Sequence, residues 1–265
     1  MNHRVSTVFA MLFALVIAAP AAAQGNRDRD RDRDQDRDRG PRETETVDRT
    51  LTASAGGTVR LKTFSGRVGI TGGSGNQVVI KAIRRATRER LADITLEIRQ
   101  NGNVIDIDAN HRVVERRNDN VVETDFEIQV PRQTTLDVRT FSAPVTITGV
   151  AGDSEVEGFS SDIRLTDVSG AKRVKTFSGG VTVQARDWAD GDDMHVNTFS
   201  GDVTLRLPEN ARGDLTFDSF SGTFNSDLPV TLSSSSKRNF RGTLNGGGTA
   251  DFRLHTFSGS VKIQR

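Results

Sequence analysis

Alternation of apolar and polar residues with a period of two runs through the chain from about Val47 to its end. Apolar or small residues occupy every second position in segments such as 59–63, 105–107, 136–140 and 174–178. Many of them are β-branched, and this pattern is typical of half-buried β-strands. A helix is predicted only for a short stretch around residues 84–91. The pattern therefore predicts an all-β protein.

One phrase, TFSG, occurs four times, and the looser copies TFSA, GFSS and SFSG bring the number of related phrases to seven. The copies place a phenylalanine before a serine at Phe64, Phe141, Phe159, Phe177, Phe199, Phe220 and Phe257. From Phe141 onward the spacings are 18, 18, 22, 21 and 37 residues, and Phe240 divides the last gap as a degenerate copy would. A period near 20 with short strands and glycine turns predicts a solenoid or β-helix.

The segment 76–130 differs from the repeats and predicts ordinary antiparallel hairpins. Asn101-Gly102 lies between two alternating runs, which is a strong hairpin signal. The run VVETDFEIQVP then predicts one long strand ended by Pro131. Because Phe64 lies 77 residues before Phe141, this region is an insertion, or a set of longer coils, before the regular coils 131–265.

Strict alternation places the repeated phenylalanines on the outer face of the predicted coils. Before Phe177, for example, Val174 and Thr176 share the inner face, whereas Lys175 shares the outer face with Phe177. The glycine that follows suits a sharp bend. One ring per coil, at about 4.8 Å per coil, predicts a ladder of stacked rings. The ladder is either structural and covered, or exposed for binding; the alternation leaves both readings open.

The N-terminal residues predict export and a spacer. Residues 1–23 combine Arg4, an apolar run and a small-residue site, the three parts of a secretory signal peptide. Residues 24–46 alternate Arg and Asp and predict a disordered linker, which leaves 47–265 as the folded domain. The mature chain is predicted without a transmembrane segment, in the periplasm or at the cell surface. The sequence contains no cysteine, so disulfides cannot stabilise it.

Charge and composition give few candidates for chemistry. The formal net charge is +1, and nucleic acid is not expected as a partner. The histidines lack metal-ligand spacing, so no metal or cofactor is predicted. The acidic loop around Trp188 could hold Ca²⁺, or its charges could simply be solvated. Its spacing fits neither the EF-hand loop nor the nonapeptide calcium repeat. Its carboxylates are Asp187, Asp190, Asp192 and Asp193.

Two basic clusters could contact an anionic envelope polymer or a lipid headgroup, or be solvated loop charges. They comprise Arg84, Arg85, Arg88 and Arg90, and then Arg112, Arg116 and Arg117. Carboxylates on adjacent predicted coils keep a carbohydrate-active enzyme, a polysaccharide lyase or a glycosidase, as the alternative function. They are Asp153, Glu155, Glu157, Asp162 and Asp167, and nothing in their spacing requires them to converge.

The chain resembles a bacterial family of envelope proteins known as a domain of unknown function and as putative adhesins. The resemblance covers about residues 50–265 and rests on the runs FEIQVPRQTTLDVRTFSAPVTITGV, VKTFSGGVTV, VNTFSGDVTLRLPE and FRLHTFSGSVKIQR. Family repeats have the form x-S-G-D-V-x-V, and the near-uniform Phe before Ser-Gly is a departure from them. The resemblance implies a right-handed β-helix-like solenoid, secreted or membrane-anchored, with no established chemistry.

These observations together predict a secreted, non-enzymatic envelope protein, an adhesin-like binding or structural module that presents one lateral surface of a solenoid. A purely structural or regulatory envelope module is the third reading, after the carbohydrate-active enzyme. The predicted surface is the phenylalanine ladder with its flanking residues Lys175, His195, Arg253 and His255. Its partner would be a glycan or an envelope protein.

Overall fold

The computed structural model describes residues 41–112, 121–189, 191–236 and 238–265. Within these ranges the chain forms two long β-sheets. In spatial order, the ten strands of sheet A are β1 (Arg42–Thr52), β4 (Gln77–Thr87), β7 (Glu123–Pro131), β3 (Val68–Gly73), β9 (Val145–Thr148), β11 (Ile163–Val168), β13 (Val181–Ala185), β15 (Val203–Arg206), β21 (Ser260–Gln264) and β17 (Thr223–Ser226). The eleven strands of sheet B are β18 (Val230–Ser235), β19 (Asn239–Leu244), β16 (Gly213–Ser219), β20 (Ala250–Ser258), β14 (Met194–Ser200), β12 (Lys172–Ser178), β10 (Ser154–Ser160), β8 (Thr135–Ser142), β2 (Thr58–Ser65), β6 (Val104–Arg112) and β5 (Ile94–Asn101).

Each regular coil contributes one strand to each sheet, and strands of neighbouring coils run parallel and in register. In sheet B, Val174 lies beside Val156 on one side and Val196 on the other. In sheet A, Val181 lies between Ile163 and Val203 in the same way. The all-β, solenoid-like prediction is therefore confirmed.

The core lies between the two sheets because every second side chain of each strand points inward. The inner rows are almost entirely buried aliphatic residues, and one row of sheet B includes Val138, Val156, Val174, Val196 and Leu254. Burial of each such side chain stabilises the fold by about 1.5–3 kcal/mol. The same period of two leaves the other row of each strand facing solvent.

The region inserted before the regular coils combines hairpins with coil strands. The hairpin predicted at Asn101-Gly102 is present, as antiparallel β5 and β6 with Gly102 at a φ of 58°. The predicted long strand is β7, which ends at Pro131. Not all pairing here is antiparallel, because β6 stacks in parallel on β2 and β7 stacks in parallel on β3. The insertion thus extends both sheets rather than leaving them.

Two boundaries differ from the sequence prediction. The helix α1 spans Arg88–Asp93, while residues 84–87 complete strand β4, whose inward side chains continue the alternation. Strand β1 begins at Arg42, inside the range 24–46 predicted as linker, because it pairs antiparallel with β4 along its whole length. The rest of that range, and residues 1–23, lie outside the described residues. No helix in the described part of the chain is long and apolar enough to span a membrane.

The C-terminal coils do not stack in chain order. The last strand pair, β20 and β21, lies between β14–β15 and β16–β17. Phe240 is not a copy of the repeat, and that prediction is wrong. It belongs to β19, which runs antiparallel to β16, and its ring packs 5.3 Å from Phe217 and 4.8 Å from Phe224. The hairpin β18–β19 thereby covers part of the core at this end of the stack.

Candidate functional site

The repeated phrase forms the corner between the two sheets. Its threonine points inward, and Thr176, for instance, is buried and donates a hydrogen bond to the Ser161 carbonyl of the neighbouring coil at 3.3 Å. Its phenylalanine points outward, as the alternation predicted. The corner backbones lie so close that a Cβ added to Gly201 would be 2.1 Å from the Gly179 carbonyl oxygen. At this corner, glycine is therefore required by the contact between the two coils.

The seven phenylalanines form one continuous ladder along the corner. Their order is Phe64, Phe141, Phe159, Phe177, Phe199, Phe257 and Phe220. Neighbouring ring centroids are 4.5–4.9 Å apart, and the rings after the first pair lie within 7° of parallel. Such stacked pairs contribute about 0.5–1.5 kcal/mol each beyond the area they bury.

The ladder is open to solvent. Its side chains are 38–57% exposed, whereas the inner rows of the same strands are buried. The five inner rings have a neighbour on both faces, so their exposed parts consist of ring edges. At the end of the ladder, the guanidinium of Arg238 lies 5.1 Å from the Phe220 ring centroid. The ladder thus presents a narrow apolar stripe of ring edges.

The four predicted flanking residues lie together beside this stripe. Lys175, His195, Arg253 and His255 line one depression of about 300 Å³ on the outer face of sheet B. The cations there are paired within the sheet: Lys175 Nζ donates to Glu157 at 2.6 Å, which raises the pKa of Lys175 through that hydrogen bond. The depression therefore combines polar side chains with little uncompensated charge.

A protein-family comparison identifies the domain: the Toastrack DUF4097 family model matches residues 60–264. The chain belongs to this family. The predicted resemblance to a domain of unknown function with putative-adhesin relatives is thereby confirmed. None of the curated proteins compared with the chain matches it.

Among the solved structures to which the chain is similar, two of the three described here have adhesion names and one has a lipid-binding name. A putative cell adhesion protein from Clostridium sporogenes is 13% identical, with 84% of this chain and 99% of that chain covered and a TM-score of 0.46. A putative adhesin from Bacteroides fragilis is 12% identical, with coverages of 83% and 97% and a TM-score of 0.33. A putative lipid binding protein from Parabacteroides distasonis is 11% identical, with coverages of 83% and 97% and a TM-score of 0.30.

The carboxylates of the enzyme alternative have structural partners in this Toastrack domain. Asp153 accepts a hydrogen bond from the Ala171 amide at 3.0 Å, and Asp162 accepts one from the Gly180 amide at 2.8 Å. Each thus caps the backbone of the next coil. Asp167 pairs with Arg186. The two glutamates, Glu155 and Glu157, both pair with Lys175.

Two carboxylates of the acidic loop of the Toastrack domain also accept hydrogen bonds from backbone amides. Asp192 accepts a hydrogen bond from the Ala189 amide at 3.1 Å, and Asp193 accepts one from the Asp251 amide at 3.0 Å. Asp190 lies outside the described residues. Among the residues that are described, no group of three acidic or histidine side chains could hold a metal ion.

The first basic cluster of the Toastrack domain contains ion pairs at the start of sheet A. Arg84 is buried and donates to Glu45 and to the Ile94 carbonyl. Arg85 donates to Asp125 at 2.7 Å. Burial alone would raise the pKa of Asp125, but hydrogen bonds from Arg85 and Arg67 hold it below its ordinary value. In the second cluster, Arg116 and Arg117 lie outside the described residues.

The sequence analysis missed a buried cation in the Toastrack coils. Lys172 is 2% exposed, and its Nζ donates to the carbonyls of Gly152, Ser169 and Gly170 at 3.0, 2.5 and 3.1 Å. Burial lowers the pKa of Lys172 to about 8, even though nearby carboxylates raise it. The alternation contains the signal, because Lys172 lies two residues before the inward Val174.

Proposed function

We propose that this Toastrack domain is a non-enzymatic, adhesin-like binding module and that the phenylalanine ladder is its contact surface. The observation that carries the proposal is the exposure of seven stacked rings in one line. At about 200 Å² per side chain, a ladder about two-fifths exposed presents on the order of 500 Å² of apolar surface. Contiguous apolar patches of this size on soluble proteins usually mark interaction sites.

A protein partner fits the ladder better than a glycan. Sugar rings stack on the faces of aromatic side chains, but here neighbouring rings occupy those faces. Only the terminal rings, Phe64 and Phe220, have a face without a ladder neighbour, and Arg238 lies near Phe220. Ring edges instead provide apolar area and a weakly positive rim that suits carbonyl oxygens and the faces of partner aromatics. We therefore favour an envelope protein over a glycan.

Export is part of the proposal. We expect residues 1–23 to direct the chain out of the cytoplasm, to the periplasm or the cell surface, and the Arg/Asp-rich segment to act as a spacer. We also expect the coils to turn right-handed, as crossover connections between parallel strands almost always do. Mass spectrometry of the N-terminus of the exported protein tests the first expectation, since the mature chain should begin near Gln24.

The proposed contact surface is tested by replacing the two central rings. The double variant Phe177→Ser/Phe199→Ser is expected to weaken binding of the full chain to isolated envelope fractions by at least tenfold. Co-sedimentation measures this binding, and the same variants on a glycan array distinguish protein from sugar partners. Because removing two rings also removes stacking energy, circular dichroism must show that the variant remains folded.

A second variant separates binding from stability. Ser178→Arg/Ser200→Arg keeps every ring and sets long charged side chains beside their exposed edges. Ser178 and Ser200 are cross-strand partners, so the two arginines repel each other and lower the unfolding midpoint slightly. Because all rings remain stacked, this variant should lose binding to a similar degree with a smaller fall in midpoint than Phe177→Ser/Phe199→Ser. Undiminished binding by both folded variants would show that the ladder is structural only.

A further inference from the structure

The two sheets end at different levels at the C-terminal end of the stack. Strands β16 and β17 belong to the same coil, and sheet B continues past β16 with β19 and then β18. In the described part of the chain, sheet A has no strand beyond β17. Two strands of sheet B therefore have no partner layer opposite them.

This difference leaves inward-facing apolar residues exposed. Register sets Leu232 of β18 beside Gly242 of β19, which itself lies beside the buried Leu215 of β16. Leu232 is thus on the inner face, yet it is 54% exposed. A groove of about 560 Å³ lies here, and its apolar lining comprises Phe224, Leu228, Pro229, Val230, Leu232 and Phe240.

One wall of the groove is a free strand edge. The Thr223 amide donates to the carbonyl of Gly259, just before β21, at 3.3 Å, and the Asp227 amide donates to the carbonyl of Ile263 on β21 at 2.9 Å. Since backbone groups alternate along a strand, those of Phe224 and Ser226 point to the opposite side. No strand among the described residues pairs with β17 on that side. The edge therefore offers two amides and two carbonyls to an incoming strand.

The hairpin β18–β19 projects two strand widths, about 9–10 Å, beyond the level of β17. This step leaves room beside β17 for an extended segment, with its backbone on β17 and alternate side chains in the groove. The competing occupant is the hairpin of a second copy in a two-fold, end-to-end contact, which the test below distinguishes. Asp227 is the one charged residue that lines the described groove, which favours a neutral or basic segment.

We propose that this end of the domain binds an extended strand of a partner protein by adding it to sheet A beside β17. The partner segment carries apolar residues at alternate positions and a neutral or positive charge. Strand addition of this kind takes its affinity from backbone hydrogen bonds and its specificity from the pockets for alternate side chains. The site is separate from the phenylalanine ladder, and neither proposal depends on the other.

The test uses a strand of sheet A itself as the probe. A fluorescently labelled peptide with the sequence of residues 201–208, GDVTLRLP, is titrated into the full chain and followed by anisotropy. Saturable binding is expected, and Leu232→Asp should weaken it at least tenfold. The matched control is Thr231→Asp, because Thr231 is exposed on the outer face of the same strand. Circular dichroism confirms that both variants remain folded.

Backbone methylation distinguishes strand pairing from simple apolar contact. Two further peptides are N-methylated at alternate positions, one at the odd residues and one at the even residues. Only one of the two should lose binding, since a paired strand turns every second amide toward β17. Equal behaviour of the two peptides, or no binding of the parent peptide, overturns the proposal. Sedimentation showing a dimer that Leu232→Asp dissociates would assign the groove to a second copy and overturn it as well.

Discussion

Replacement of Gly201 by alanine should lower the free energy of unfolding by about 3 kcal/mol, although it adds a single methyl group. The added Cβ would lie 2.1 Å from the carbonyl oxygen of Gly179, a contact between two backbones that side-chain rotation cannot relieve. The φ of Gly201 does not lie in the left-handed region, so the loss measures the close approach of the coils alone. Urea denaturation followed by circular dichroism gives the difference.

The matched control is Gly75→Ala. A Cβ at Gly75 has its nearest neighbour, the Gln77 amide nitrogen, at 3.9 Å, and its φ is not in the left-handed region. This variant should change stability by no more than about 0.5 kcal/mol. If Gly201→Ala were equally neutral, the corners would not be packed as described. The prediction extends to binding, because a displaced corner separates the rings of Phe177 and Phe199.

Stability should rise with pH above pH 8 because of Lys172. Its folded-state pKa is lowered from 10.5 to about 8 by burial. Below pH 8 both states hold the proton, and the cost of the buried charge is fully present. Between pH 8 and 10.5 the unfolded chain keeps the proton that the folded chain has released, so the free energy of unfolding increases. The expected gain across this window is about 3 kcal/mol.

The variant Lys172→Met isolates this contribution. Its stability should be nearly flat over the same window, apart from the titration of the remaining lysines, because the sequence contains neither tyrosine nor cysteine. Denaturation at pH 7.5 and pH 10 gives the change in the free energy of unfolding with pH for the unchanged protein and for the variant. NMR titration of the lysine side-chain carbons gives the pKa of Lys172 directly. Identical slopes for the two proteins, or a Lys172 pKa near 10.5, would contradict the prediction.

Local features of the fold followed from the sequence because they depend on neighbouring residues. The period of two around Val174 assigned the inner face, and the same count placed Phe177 outside, where the structure has it. Asn101-Gly102 specified its hairpin through the φ that glycine permits. The same alternation could have revealed Lys172 as an inward residue, but a lysine is expected at the surface until its four backbone carbonyl partners are known.

Features that depend on distant segments could not be predicted. Nothing near Phe257 indicates that its coil lies between those of Phe199 and Phe220. Phe240 resembled a repeat because it divides the last gap into 20 and 17 residues, but this spacing has no bearing on the direction of β19. Whether the ladder is covered was also undecidable from sequence, since coverage depends on where the loops of other coils run. The open groove beside Leu232 results from the unequal ends of the two sheets, which no local pattern encodes.

The insertion of β20 and β21 has a consequence for biogenesis. These strands follow β16 and β17 in the sequence, yet they lie inside the stack, paired on both sides. The coil of β16 and β17 is made earlier but has its parallel neighbours only in β20 and β21, residues 250–264. Assembly therefore cannot follow the order of synthesis strand by strand. The coil of β16 and β17 must wait for residues 250–264 before it can dock on the stack.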